Sequence, residues 1–331
     1  MPRRRSDAGV IDAPFRADEA AARRLAELAA KIGAEVGAAL DGLVGASVAR
    51  DADPLAPSTV PAAEVARLVD RFGLASEREL ALLALPVAGA LADPPISGYR
   101  VAAVGIEAET GDFVLGANLE FPGGDLGTTI HAEGFVSLRV RRRGRTLETL
   151  AVREAHPCAH CRQTLTEADA AERLEIIDLL GHELTLDELY PWPFRPAALG
   201  VLGDRPGAVS WPGLAFAGEA PPDEVARLLL EAGARAHAPY SSSPSAVVLR
   251  LGDGRLVSAG CVESVAFNPS ITALQAALVE ANAVRSPAAG VTEGWLARTA
   301  GGVVDPAPGF RVLLAAVAPS ATARVLDWRT S

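Results

Sequence analysis

The sequence predicts an α/β protein: an α/β/α sandwich, duplicated, behind an N-terminal helical region. Three observations point there. Helical periodicity comes first, before any strand pattern. The order hairpin, helix, strand, helix, strand then follows, as expected when helices cover a sheet. After a proline-dense break, a hairpin and helix recur in the same order.

From Asp18 to Leu40, apolar residues at Leu25, Leu28, Ile32, Val36 and Leu40 repeat with helical spacing in an Ala-, Leu- and Glu-rich background. A Pro-containing link, Asp53 to Pro61, leads to a helix over Ala62 to Phe72, and the capping-box pattern Ser76-Glu77-Arg78-Glu79 opens a third. Tyr99 to Glu107 alternates, Thr110-Gly111-Asp112 turns, and Phe113 to Asn118 continues, which predicts a β-hairpin. A helix starting near Thr129 carries His131. Thr146 to Val152 reads as a strand, Pro157-Cys158 opens a helix reaching about Ala171, and Leu174 to Leu180 is again strand-like.

The segment Tyr190-Pro191-Trp192-Pro193-Phe194-Arg195-Pro196 breaks the pattern, and the stretch to Pro222 stays irregular. Beyond it come a helix at Asp223 to Ala232, strands Ser245 to Leu251 and Arg255 to Val262 around Gly252-Asp253-Gly254, and a helix from Ile271 to Asn282. In this weak second copy, Gly260-Cys261-Val262-Glu263-Ser264 stands opposite Gly116-Ala117-Asn118-Leu119-Glu120.

The 331 residues, 49% hydrophobic and 22% charged, suffice for two cores of ordinary size. A net charge of −10 argues against a nucleic-acid or anionic-membrane partner and suits a small uncharged substrate. The longest apolar run, Leu80 to Ala92, contains Pro86 and falls short of the roughly 20 residues of a membrane span. The start, Met1-Pro2-Arg3-Arg4-Arg5, lacks the apolar segment of a secretory signal. Three cysteines are too few for a disulfide framework, and Cys158 with Cys161 have metal or redox spacing, so a reducing cytoplasm is expected. The run Arg139, Arg141, Arg142, Arg143 and Arg145 has no interleaved aromatics and is expected to be a solvated loop.

Chemistry concentrates at two helix starts, His131-Ala132-Glu133 and Pro157-Cys158-Ala159-His160-Cys161. One imidazole and two thiolates suit a single tetrahedral zinc ion whose fourth position is left to water, as in catalytic rather than structural sites. Glu133, two residues after the histidine, is placed as the proton shuttle of a hydrolysis. His156 and His160 flank the cysteines without being expected ligands, Arg162 either stabilises a thiolate or is a surface charge, and Cys261 is a small buried residue.

The pattern H-x-E followed by P-C-x-x-C is the signature of zinc deaminases acting on nucleobases. Through Gly116-Ala117-Asn118-Leu119-Glu120-Phe121, Ile130-His131-Ala132-Glu133 and Pro157-Cys158-Ala159-His160-Cys161-Arg162-Gln163, the sequence resembles the cytidine deaminase family, in its two-domain bacterial form with a degenerate second copy. Pro239-Tyr240-Ser241, Ser243-Pro244-Ser245 and Ala266-Phe267-Asn268-Pro269 look like its non-catalytic domain. The resemblance implies deamination of cytidine or 2′-deoxycytidine in pyrimidine salvage, and a homodimer. It implies that Asn118 and Glu120 bind the ribose hydroxyls, that Tyr99 packs on the base and that Phe194 reaches a substrate pocket.

The expected division is a tail and helix over 1–52, a zinc deaminase domain over 53–188, a Pro-rich linker over 189–222 and a metal-free copy over 223–331. The loop Pro122 to Ile130 is shorter and richer in Gly and Thr than the family pattern. The tail Met1 to Phe15 has no family counterpart and is expected to be disordered. Two other readings stay open: a zinc deaminase for a modified nucleoside or polynucleotide cytosine, and a non-catalytic zinc-stapled binding protein.

Overall fold

A computed structural model of the protein describes residues 17–49, 55–153, 156–168, 171–203, 206–285 and 290–330. The tail Met1 to Phe15 and part of the first link lie outside them. The helical start comprises α1 (Glu19–Ala49), a short strand β1 (Thr59–Val60), α2 (Ala62–Phe72) and α3 (Glu77–Ala88). α1 runs nine residues beyond Leu40, because Val44 is buried against the rest of the core and extends the apolar stripe past two glycines. α2 ends where Gly73 takes a left-handed conformation, φ 62°, which glycine adopts without a Cβ clash. At the start of α3 the capping box is not made: Ser76 is the N-cap without a side-chain bond. Glu79 instead accepts from the Ala75 N–H and pairs with Arg24 of α1.

The first half continues through β2 (Ala102–Glu107), β3 (Phe113–Ala117), α4 (Ala132–Arg142), β4 (Leu147–Val152), α5 (Ala159–Leu165), β5 (Glu175–Asp178), β6 (Glu183–Thr185) and α6 (Leu186–Leu189). Its six-stranded sheet has the order β1-β3-β2-β4-β5-β6, with β4 and β5 parallel. Alternation along the strands sorts side chains to two faces. Val104, Ile106, Phe113 and Leu115 join a core shared with α1 to α3. Ala103, Val114, Leu150 and Val152 pack with Ala132, Val136 and Val140 of α4.

The second half comprises β7 (Ala215–Phe216), α7 (Asp223–Ala234), β8 (Ser245–Leu251), β9 (Leu256–Gly260), α8 (Ala273–Ala283), β10 (Val291–Thr299), α9 (Ala307–Val317) and β11 (Thr322–Arg329). Its sheet order, β7-β11-β10-β8-β9 with β10 and β11 parallel, repeats the path β3-β2-β4-β5 of the first half. The duplicated α/β/α sandwich is therefore present, completed by β10, α9 and β11, whose patterns the sequence reading did not separate.

The register of the repeat differs from the sequence alignment by one residue. Leu119 bridges Ile130, and Val262 bridges Ile271. Glu120 therefore corresponds to Glu263, Asn118 to Cys261 and Gly116 to Ala259. Matching glycine to glycine misled the alignment, since an alternating strand pattern tolerates a slip until its partners are known.

Two further expectations change. α5 stops at Leu165 rather than near Ala171. Two residues on, the Glu167 carboxylate turns into the second half, accepting from the Tyr240 hydroxyl at 2.7 Å and the Val265 N–H at 2.6 Å. The arginine run is not a solvated loop. Arg139, at 0% exposure, pairs with Glu280 of α8 and donates to the carbonyls of Leu55 and Pro57. Arg142 reaches Ser258, and Arg143 bridges Glu107 and Asp112. The acids and acceptors of these arginines lie far along the chain, so local composition does not reveal them.

α4 lies close on the hairpin because Gly105 and Gly116 present no side chain. A Cβ at Gly116 would sit 2.7 Å from Val136 Cγ2, 2.8 Å from Phe135 Cδ1 and 3.0 Å from the Val136 nitrogen. We expect Gly116→Ala to destabilise the protein by about 1–3 kcal/mol through overpacking. Denaturant unfolding tests this, and an unchanged midpoint would show that α4 can shift freely.

Candidate metal centre and active site

His131 is the N-cap of α4, extended at φ −81° and ψ 160°, rather than inside the helix. Its carbonyl starts the helix by accepting the Phe135 N–H, while Ile130 before it is pinned to Leu119 by two backbone bonds. Cys158 is likewise the N-cap of α5, and Cys161 follows one turn later on the same side. Two helix starts thereby bring three donor atoms together. His131 Nδ1 lies 3.5 Å from each sulfur, and the sulfurs are 3.7 Å apart.

These separations test the fit to a metal. A tetrahedral zinc with bonds of about 2.3 Å to sulfur and about 2.0–2.1 Å to nitrogen requires edges of about 3.8 Å and about 3.5 Å. The triangle matches both. Among the described residues no fourth protein donor joins the group, so one coordination position faces the pocket. His160 is exposed, and His156 is turned toward Asp178.

The charge balance asks for a cation as well. In the protein framework alone, the Cys158 thiol is drawn down to about 3 by the hydrogen bond from Cys161 and then by His131. The same bond, together with burial, pushes the Cys161 thiol up. The bond to Cys158 also raises His131 above its ordinary value. One anion is thus tolerated and a second is not, until a dication accepts both thiolates and the imidazole lone pair, releasing protons as it binds.

Glu133 sits in the first turn of α4 at 4% exposure. Burial raises its carboxyl above the usual range, partly opposed by its own backbone N–H and by His131. A carboxyl so placed holds and releases a proton nearer neutrality than one in water.

Asn118 and Glu120 extend from β3 toward the same end of the sheet. Asn118 Oδ1 accepts the Val101 N–H and its Nδ2 donates to the Tyr99 carbonyl, both at 2.9 Å. Glu120 accepts from the backbone of Ile96 and Ser97 and from the Ser97 hydroxyl. Against the opposing effect of burial, these bonds lower its carboxyl pKa. Both residues hold the 96–101 segment, a task the sequence did not disclose. The Tyr99 and Phe194 side chains are 58% and 43% exposed and are not gathered onto the metal group.

Sequence reasoning missed several residues around the site. The pocket beside His131, His160 and Cys161 is walled by Asn268, Pro269 and Gln275 of the second half. Gln275 donates to the Thr128 carbonyl at 2.9 Å, holding the glycine-rich loop before His131. Arg162 stabilises no thiolate directly. Its guanidinium is bonded to the carbonyls of Pro157 and Leu189 and so fixes the turn into Cys158. Gln163, buried behind it, donates to the Phe194 carbonyl and accepts the Tyr190 hydroxyl.

An open three-ligand centre with a raised carboxyl beside it defines a zinc-dependent hydrolytic enzyme. Two stretches of the chain, residues 76–175 and 212–306, match the family described as the cytidine and deoxycytidylate deaminase zinc-binding region. The chain belongs to this family, and its metal is zinc.

A curated cytidine deaminase of Aliivibrio fischeri (strain ATCC 700601 / ES114) is 37% identical over 210 residues, covering 63% of this chain and 69% of the relative. One from Klebsiella pneumoniae subsp. pneumoniae is 36% identical over 231 residues, covering 69% and 75%. A crystal structure of cytidine deaminase from Mycobacterium tuberculosis aligns with a TM-score of 0.29 at 28% identity, covering 33% of this chain and 89% of that one.

Cys161→Ala should weaken zinc binding by more than about a hundredfold, since loss of partners merely supporting a ligand already costs roughly 10–100-fold. Metal content after dialysis against a graded chelator reads this directly. Retention of a full equivalent would remove Cys161 from the ligand set.

Proposed function

We propose that the chain hydrolyses cytidine or 2′-deoxycytidine to uridine or 2′-deoxyuridine with release of ammonia, in pyrimidine salvage. The carrying observation is the buried carboxyl of Glu133 beside an open triangle of His131, Cys158 and Cys161. Bound to these side chains, the ion supplies the Lewis acidity that makes water nucleophilic near neutral pH. Glu133 takes a proton from the attacking water, delivers it to ring N3 as oxygen adds at C4, and passes a proton to the departing exocyclic amine. One carboxyl serves both ends of the reaction because burial raises its affinity for the proton above that of an exposed carboxylate.

Asn118 and Glu120 bind the sugar hydroxyls in this reading. The support is their shared position at the end of β3 and the acceptor capacity each carboxylate or amide oxygen keeps beyond its backbone bonds. Tyr99 covers the base and Phe194 reaches the pocket in the assembled homodimer. Supporting that assembly, Ile96, Tyr99, Trp192 and Phe194 all stand exposed on the single chain. We assign the chemistry to 53–188, with 1–52 as a tail and helix, 189–222 as a linker and 223–331 as a copy without metal ligands. The net charge of −10 supports a free nucleoside over a nucleic acid. No helix among the described residues is long and apolar enough to cross a membrane, and two free thiol ligands suit the reducing cytoplasm.

Glu133→Ala should keep its zinc and fold yet lose at least about 10²–10⁴ in kcat, the usual contribution of acid–base catalysis. The fall in ultraviolet absorbance as cytidine becomes uridine measures it beside wild type. Turnover by neither protein with zinc bound would reject the substrate assignment.

Free cytosine, which lacks the sugar, should react about 10⁴-fold less efficiently than cytidine, because a site built to hydrogen-bond the sugar hydroxyls rejects an analogue without them. Equal kcat/KM for the two would remove the ribose assignment of Asn118 and Glu120.

A further inference from the structure

A second group of metal-ligating side chains lies outside the zinc triangle: His156, between β4 and Cys158; Asp178, the last residue of β5; and His182, in the turn before β6. Their donor atoms all lie within 4.8 Å of one another. Asp178 is 2% exposed. Its Oδ1 accepts the N–H groups of Leu180 and His182, both at 2.9 Å, which closes the β5–β6 turn and fixes the carboxylate plane. Gly181 makes that turn possible at φ +83°, where an added Cβ would lie 2.3 Å from the Asp18 carbonyl oxygen.

The other oxygen, Oδ2, faces both imidazoles, with His182 Nδ1 and His156 Nε2 each at 2.8 Å. The two contacts differ. His182 has hydrogen-bond geometry to the carboxylate. His156 Nε2 is buried and, despite its distance, makes no hydrogen bond, so its axis points past the oxygen. The rings meet edge to face at 66°, with centroids 5.2 Å apart. A ring nitrogen close to a carboxylate but aimed beside it is the arrangement of two ligands sharing a third atom. Cis ligands with bonds of about 2.1 Å are about 3 Å apart.

We propose that His156, Asp178 and His182 form a second metal site, a two-histidine, one-carboxylate face for a divalent first-row transition ion, distinct from the zinc site. Binding gives up the His182 Nδ1–Asp178 Oδ2 hydrogen bond: both rings take the tautomer that carries the proton on the other nitrogen, and the lone pairs of His156 Nε2 and His182 Nδ1 turn to the ion. The remaining positions go to water. A cavity of about 320 Å³ beside Asp178 and His182, bounded by the start of α1 and by Ser76 and Arg78 at the start of α3, gives the ion its path in. Nitrogen and oxygen donors set this site apart from the thiolate centre, which keeps the softer preference. The proposal does not depend on the substrate assigned above.

The test titrates cobalt(II) into the zinc-loaded protein by calorimetry, with total metal counted by mass spectrometry and the visible spectrum recorded. Wild type should take up one cobalt per chain in addition to its zinc, without the intense thiolate-to-cobalt band that exchange at Cys158 and Cys161 would produce. His182→Gln and, separately, His156→Gln should weaken that uptake by at least about tenfold. His182→Gln should leave zinc content and cytidine turnover unchanged. Failure of wild type to bind beyond its one zinc would overturn the proposal, leaving Asp178 as a hydrogen-bonded anchor for two histidines. Uptake undiminished in both variants would overturn it too, by placing the cobalt elsewhere.

Discussion

The close contact of α4 with the β2–β3 hairpin sets the position of nearly everything else. Val136 lies over both Gly105 and Gly116, so near that neither position has room for a methyl group. The helix start is thereby held at the end of the sheet where Leu119 and Ile130 pair, and His131 and Glu133 have no freedom to retreat from α5. The far end of the same helix carries the buried Arg139–Glu280 pair, which ties α4 to its counterpart α8. One packing contact at a sheet face thus orients His131 at one end and the join between halves at the other.

The two copies show which parts of the site belong to the architecture and which to the chemistry. Glu263 accepts from the backbone of Tyr240 and Ser241 and from the Ser241 hydroxyl, the same cage that Ile96 and Ser97 build around Glu120. The loop-holding carboxylate is therefore present in a half that has Thr272 and Leu274 where the first half has His131 and Glu133. Thr272 caps α8 in a complete capping box with Gln275, so the helix start survives as a purely local structure. Gln275 then reaches across to Thr128. The second half contributes a wall to the pocket beside His131 and Cys161 and a clamp on the loop that leads to His131.

Sequence and structure part company where residues act over long separations. The arginines after Leu138 looked like a solvated turn because their partners, Glu280, Leu55 and Ser258, are remote in the chain. α5 looked longer because the stretch after Leu165 has no helix breaker, whereas Glu167 is drawn off into the second half. The repeat was misaligned by one residue because period-two patterns do not fix register without a partner strand. Arg162 was read either as a partner of a thiolate or as a surface charge, but its guanidinium is taken by the carbonyls of Pro157 and of the remote Leu189.

By itself the sequence determined the order of elements through α8, the duplication and the family signature that singles out His131, Cys158 and Cys161 as candidate zinc ligands. These rest on local periodicity and on the chemistry of His, Glu and Cys at helix starts, and both are written within a few residues. The tertiary structure decided that two helix starts separated along the chain meet with edges suited to tetrahedral zinc. It decided that Glu133 is buried, which raises its carboxyl above the usual range, and that Asn118 and Glu120 brace a loop. It also brought His156 and His182 onto one carboxylate. Those outcomes depend on which surfaces pack together, and packing is fixed by volumes and partners summed over the whole chain.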